Sequence, residues 1–293
     1  MALRTRISER QRRLGTELRR AREISGVSTN DAAAATGLRA PLLSNIEAGR
    51  TAIATERLRR LCGHYGNIST PHLEALVAMS ESSGKGWWST YQGRVTRHAL
   101  NLAELEAGAA SLCSYEPLVI PGLFQTEEYI RALFGDVKPK HATTEDAIAF
   151  RLERQRILVS ENAPAVHAVI HEAALRMHYG GPSVMRRQLL HLIELSRLPN
   201  VTIQVFPFRA QTFLGVSTPF LYVRPPVEEL ATVVLEHPSE PIYRDTQEHL
   251  SQYRVLFGRL KDSALPPITP SATAETQAAP GSLLLIQHLL YDF

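Results

Sequence analysis

The chain has 293 residues, 44% of them hydrophobic and 21% charged, an ordinary globular composition with length enough for two cores. No stretch approaches the roughly 18 uninterrupted apolar residues of a membrane span, and the basic start MALRTRISERQRR is followed by no apolar run of the secretory type. Cys62 and Cys113 lie far apart without metal-ligand spacing, so reduced thiols in a cytoplasmic protein are expected.

The net charge of +3 hides an asymmetry. Residues 1–66 hold thirteen arginines and no lysine against six acidic residues, a net of +7, which leaves −4 for the remainder. A basic leading segment on an acidic body predicts contact with phosphate.

Apolar positions at Leu14, Leu18, Ala21 and Ile24 predict a helix between Ile7 and Ile24. Two short helical patterns follow, Ser28 to Thr36 and Ala40 to Ala48, joined by Gly37-Leu38-Arg39. Ser28 offers an N-cap oxygen, and Gly49 can take the left-handed conformation that ends a helix. Two helices joined by a short glycine-containing turn form the unit that lays its second helix in the DNA major groove. Thr55 to Tyr65 predicts a fourth helix with Leu58, Leu61 and Cys62 on one face. A fifth is expected with Thr70 as cap and Pro71 at its first position.

Glu81 to Gly86 reads as a linker, followed by Trp87-Trp88 and a connecting helix to about Ala107. Beyond it the texture changes. Ala165–Ile170, Val201–Phe206, Pro219–Val223 and Ala231–Leu235 are β-rich runs, and Thr126–Leu133, Glu145–Val159, Ser183–Ser196 and Thr246–Leu260 are helical patterns. The fold class is therefore α+β: an all-α five-helix head followed by a mixed α/β domain. The expected boundaries are 1–80 for the DNA-binding domain, 81–109 for linker and connecting helix, 110–261 for the mixed domain and 262–293 for a disordered tail. The tail is rich in Pro, Ala, Ser and Thr, but its end, SLLLIQHLLYDF, turns apolar and reads either as a docking segment or as a partner hook.

Leu14, Leu18, Arg22, Gly26, Val27, Ala32, Ala33, Gly37, Leu38, Ile46, Glu47, Gly49, Arg50 and Leu58 resemble the pattern of the lambda-repressor-like (Xre-type) helix-turn-helix domain. Residues 114–260 resemble the C-terminal domain behind such heads in actinobacterial regulators. The matching runs include Pro121-Gly122-Leu123-Phe124-Gln125-Thr126, Arg151-Leu152-Glu153-Arg154-Gln155 and Pro199-Asn200-Val201. The resemblance implies a DNA-binding regulator, antitoxin-like and paired with a small adjacent protein. It also implies a homodimer on a pseudo-palindromic double-stranded operator.

In the repressor geometry the start of the second helix meets base edges. Here those residues are Arg39, Ala40, Pro41, Ser44 and Asn45. Asn45 can pair bidentately with adenine, Ser44 with several bases, and Ala40 and Pro41 offer only apolar contact. Ser44 and Asn45 read otherwise as ordinary exposed polar residues. Arg39 replaces the usual hydroxyl cap. Arg50 is placed for phosphate, and Thr29 stands where the family often has a longer glutamine. Arg22 and Glu47 occupy the positions of a family ion pair, or else are two solvated charges.

In the second domain His167 and His171 share a strand face by period two, with Glu172 and His178 close by; exposed strand-end histidines are the reading preferred over zinc. Tyr115 to Phe124 is apolar and proline-bracketed, and reads as a core crossing or a pocket wall. No nucleophile elbow, P-loop or dinucleotide fingerprint is present, so the chain is expected not to be an enzyme and to need no cofactor or metal. The rival expectation is a ligand-responsive regulator whose second domain binds a small molecule or catalyses.

Overall fold

The computed structural model describes residues 7–136, 143–211, 218–237, 240–269 and 281–293. It divides into two compact units, 1–89 and 90–293.

The first unit holds α1 (Glu9–Ile24), α2 (Thr29–Ala35), α3 (Ala40–Glu47), α4 (Thr55–Tyr65) and α5 (Thr70–Glu81). Hydroxyl side chains set the starts of α1, α2 and α5. Ser8 Oγ accepts from Gln11 N while Ser8 N donates to Gln11 Oε1, a reciprocal cap. Ser28 caps α2 by accepting from Asp31 N. The fifth helix is capped by Ser69, which accepts from His72 N, and not by Thr70. Ser69 has the extended backbone of a cap, while Thr70 and Pro71 are already helical. The core is built from Leu18, Ala32, Leu43, Ile46, Leu58, Leu61 and Leu76, all buried.

The crossing of α1 over the end of α3 requires a glycine. A Cβ on Gly15 would lie 2.5 Å from the backbone oxygen of Glu47 and 2.8 Å from that of Ile46. Backbone cannot give way as a flexible side chain can. Gly15→Ala is therefore expected to cost about 1–3 kcal/mol, the range of overpacked cores. Denaturant unfolding of the full chain checks this, with hydrogen exchange of α1 and α3 assigning the loss to this crossing.

The second unit holds α6 (Arg97–Ala107), β1 (Ser111–Glu116), α7 (Glu127–Asp136), α8 (Thr144–Gln155), β2 (Ala165–His171), α9 (Glu172–Arg176), α10 (Pro182–Leu195), β3 (Val201–Phe206), β4 (Phe220–Arg224), β5 (Thr232–Leu235), β6 (Ile242–Arg244), α11 (Gln247–Ser263) and α12 (Ser282–Leu289). The six strands form one mixed sheet in the order β3-β2-β1-β4-β5-β6. β1, β2 and β3 run parallel, with Ser111 opposite Ala165 and Val166 opposite Val201. The helical connections α7–α8 and α9–α10 supply the crossovers that parallel pairing needs. β4, β5 and β6 continue the sheet antiparallel from β1, with Tyr115 opposite Phe220.

Each sheet face has its own core. One carries Leu112, Val166, Ala168, Ile203 and Val234 under Tyr129, Leu175, Leu189 and Ile286. The other carries Tyr115, Val169, Phe220 and Val233 under Leu250, Phe257 and Leu260 of α11. No helix among the described residues is long and apolar enough to cross a membrane.

Three further expectations are corrected. The sheet has two strands beyond the four expected, β1 and β6. The helix ending at Ala107 is no separate connector: it starts at Arg97 and buries Leu102, Ala103 and Glu106 within the second unit. The tail is structured over much of its length. Leu265 N donates to Val205 O and Ile268 N to Ile203 O, both at 2.9 Å, and α12 buries Leu283, Ile286 and Leu289. Residues 270–280 of that tail lie outside the described residues.

Candidate nucleic-acid interface and the cavity beside β1

The second helix of the helix-turn-helix has one buried and one open side. Leu43, Ile46 and Glu47 are buried. On the opposite side of α3, Pro41 and Ser44 are exposed and Ala40 and Asn45 half-buried. Leu42 is half-buried at the flank. Arg39 stands at the N-cap, exposed and without a side-chain cap bond. At the other end Arg50 N donates to Asn45 O at 2.8 Å and Gly49 N to Ile46 O at 2.9 Å. This closure needs the left-handed backbone that Gly49 adopts at φ 72°. Gly37, at φ 64°, closes α2 the same way through Leu38 N and Ala33 O. Arg50 is exposed, so exposed arginines flank both ends of the helix. Thr29 sits half-buried in the first turn of α2.

Arg22 and Glu47 form a bidentate pair, Nε to Oε1 at 2.7 Å and Nη2 to Oε2 at 3.0 Å. Their side chains are 12% and 3% exposed, so the solvated-charge alternative does not hold. The hydrogen bond to Glu47 raises the proton affinity of the guanidinium further, and burial opposes it. Arg19 Nε comes within 3.7 Å of the same carboxylate. A second buried pair escaped the sequence reading: Arg13 Nε lies 3.0 Å from Glu17 Oε1, both 3% exposed. In sequence it is indistinguishable from a solvated i,i+4 pair.

In the second unit, residues 119–125 wall a cavity of about 240 Å³ at the end of β1. Buried backbone needs partners, and glutamine and tyrosine side chains supply them. Gln125 Nε2 donates to Ile120 O at 2.6 Å, Gln188 Nε2 to Phe124 O at 2.7 Å, and Gln155 Nε2 to Gly122 O at 3.0 Å. Ile120 N donates to Tyr129 Oη at 3.2 Å. The wall is thereby fixed.

Period two along β1 puts Leu112, Ser114 and Glu116 on the cavity side. Helix α8 adds Arg151 and Arg154, and α6 adds Glu106. Arg154 Nε lies 3.0 Å from Glu106 Oε2 without aiming its N–H at it. That nitrogen and both carboxylate oxygens of Glu106, which is 1% exposed, lack hydrogen-bond partners among the described residues. Burial pushes the carboxyl groups of Glu106 and Glu116 above their usual range, and Glu236 adds to the effect on Glu116. Burial, then Arg154, lowers the Arg151 guanidinium to about 10. In the sequence Arg151 and Arg154 stand at i and i+3, a spacing that a surface helix also shows, so nothing there singles them out.

The histidines have other partners. His167 Nε2 lies 2.6 Å from Gln204 Oε1 and its ring meets Phe257 edge-on. His171 Nδ1 accepts from Ala173 N at 3.0 Å, capping α9, and its ring stacks on Phe206. No metal-holding group of His, Cys, Asp and Glu occurs among the described residues. Cys62 and Cys113 are free.

Residues 13–76 match the model of a helix-turn-helix domain, and residues 100–273, more than half of the chain, match a family described as a domain of unknown function (DUF5753). No curated protein and no solved structure matches the chain. The first unit is thus a DNA-binding helix-turn-helix module.

Proposed function

Because the chain belongs to the DUF5753 family and carries a helix-turn-helix domain ahead of it, we propose that it is a sequence-specific transcription regulator of the Xre type. The observation that carries this reading is the open face of α3, with Ser44 and Asn45 between the exposed arginines Arg39 and Arg50. Ser44 and Asn45 read bases, Ala40 and Pro41 offer apolar contact, and Thr29, Arg39 and Arg50 hold phosphate. Two copies on half-sites about one helical turn apart, ~34 Å, complete a pseudo-palindromic operator, so the working form is a homodimer. In this reading the chain is not an enzyme. The second unit is its control domain and takes a small partner protein in an antitoxin-like arrangement, which alters the spacing of the two heads. Support for that partner is the resemblance alone.

Binding to the chain's own upstream duplex is expected to fall steeply with salt, by about 0.9 log units per log unit of salt for each phosphate neutralised. Asn45→Ala and Ser44→Ala should each cost roughly 1–3 kcal/mol on the cognate site and nothing on scrambled DNA. Arg50→Ala should weaken both duplexes alike. Fluorescence anisotropy at several salt concentrations measures all of these. An Asn45→Ala variant that loses the same affinity for cognate and scrambled duplex removes Asn45 from base reading.

A second reading is favoured by the cavity beside β1. Buried charged groups without hydrogen-bond partners around a cavity suit a ligand-responsive control domain.

A further inference from the structure

The cavity beside β1 presents opposite charges that do not pair with each other. Glu116 lines it from the sheet, and its Oε2 is buried with no hydrogen-bond partner. Arg151 lines it from α8, donates Nη1 to Gln125 Oε1 at 2.7 Å and lays its guanidinium over the Phe134 ring. Its further N–H groups form no ion pair among the described residues, and it is Arg154 that stands beside Glu106. An unpaired buried acceptor and an under-used, half-buried cation are each costly, and in one cavity they are satisfied together by a molecule that bridges them. The remaining wall mixes apolar Leu112, Phe124 and Val234 with the polar side chains of His98, Glu106, Ser114 and Arg154. The volume of about 240 Å³ exceeds the roughly 30 Å³ of a liquid water severalfold. It falls below the roughly 300–1,000 Å³ of larger ligand sites.

We propose that this cavity binds a small zwitterion of amino-acid size, its ammonium group on the Glu116 carboxylate, its carboxylate on the Arg151 guanidinium and its apolar side chain against Leu112 and Val234. Glu236, exposed, adds a further carboxylate to the same lining. The fixed wall at 119–125 means the site is formed before the ligand arrives, which keeps the ordering cost low. This inference rests on the ligand-responsive reading of the second unit and is independent of which bases the first unit reads.

The test is calorimetric titration of the full-length protein with each of the protein amino acids at millimolar concentration. Every binder is then compared with its analogue lacking the amine and its analogue lacking the carboxylate. One-to-one saturable binding by one or a few amino acids with apolar side chains is expected, with each analogue weaker by about tenfold or more, since each lacks one charge-assisted contact. Glu116→Gln, which keeps shape and removes only charge, should weaken the parent by a similar factor and leave the amine-free analogue unaffected. Three outcomes overturn the proposal: no saturable binding by any amino acid, an analogue as tight as its parent, or unchanged affinity in folded Glu116→Gln. Duplex affinity measured with and without the bound amino acid separates the two levels. Binding with no change in duplex affinity upholds the site and refutes the ligand-responsive reading.

Discussion

Glu47→Ala is expected to destabilise the helix-turn-helix unit by about 3–5 kcal/mol, the penalty for leaving a buried charge without its partner. Glu47 is the last residue of α3, is 4% exposed, and accepts both Nε and Nη2 of Arg22. Without the carboxylate the Arg22 guanidinium keeps its bond from Nη1 to Val27 O at 3.3 Å and a long contact of Nη2 with the exposed Glu23 carboxylate at 3.8 Å. Arg19, 3.7 Å from the same carboxylate, then adds repulsion where it had attraction. Arg22→Ala should cost a similar amount by orphaning the anion instead. The double replacement Arg22→Met with Glu47→Leu should recover much of the loss, because a buried pair exchanged for packed apolar groups is often close to neutral. Denaturant unfolding of the full chain, with hydrogen exchange reporting on α1 and α3, measures the cycle. Single-variant costs below about 1 kcal/mol with no coupling would place the pair with solvated surface bridges. Affinity for DNA should fall in the same order, since the pair ties the end of α3 to α1 and sets the direction its open face points.

Local chemistry made the first unit readable. The cap at Ser28 and the turn glycines Gly37 and Gly49 act through neighbours within five residues, so the sequence displays them directly. Ser69 and Thr70 show the limit of that reading: two adjacent hydroxyls are both plausible caps until the backbone decides. In the second unit the periodic helices α7, α8, α10 and α11 and the apolar strands, such as Val201–Phe206, are legible as runs of their own. β1 (SLCSYE) was missed because its cavity-side positions, Ser114 and Glu116, are polar where a core strand would be apolar. β6, three residues long at the sheet edge, has no burial pattern to read. The cavity's charges were illegible for a further reason. Glu106, Glu116, Arg151 and Arg154 come from three separated segments, and each alone looks like surface. Only the parallel pairing of β1 with β2, bridged by α7 and α8, brings them to one void.

Loss of the C-terminal segment should damage the second unit more than any single core substitution. β3 is the last strand of the sheet, and its sequence VTIQVF is apolar and β-branched, the composition of an aggregation-prone edge. The tail covers it. Leu265 N and Ile268 N donate to Val205 O and Ile203 O, and Val205 N donates to Ser282 Oγ at 2.9 Å. Helix α12 then places Ile286 at 0% exposure, with Leu283 and Leu289, on the same core as Ile203 and Val205. Arg186 Nη1 donates to Leu290 O at 2.6 Å and holds the helix end. The apolar run SLLLIQHLL is therefore a docked helix, and the strand edge is its reason for being apolar. Ile286→Ala is expected to cost about 2–5 kcal/mol. A chain ending at residue 264 loses the edge pairing as well, and should unfold at lower temperature and self-associate through β3. Thermal unfolding and size-exclusion chromatography of the two variants beside the full chain check both effects. A truncated chain that keeps its melting temperature and elutes unchanged would show that β3 needs no cover and that α12 contributes little to the core.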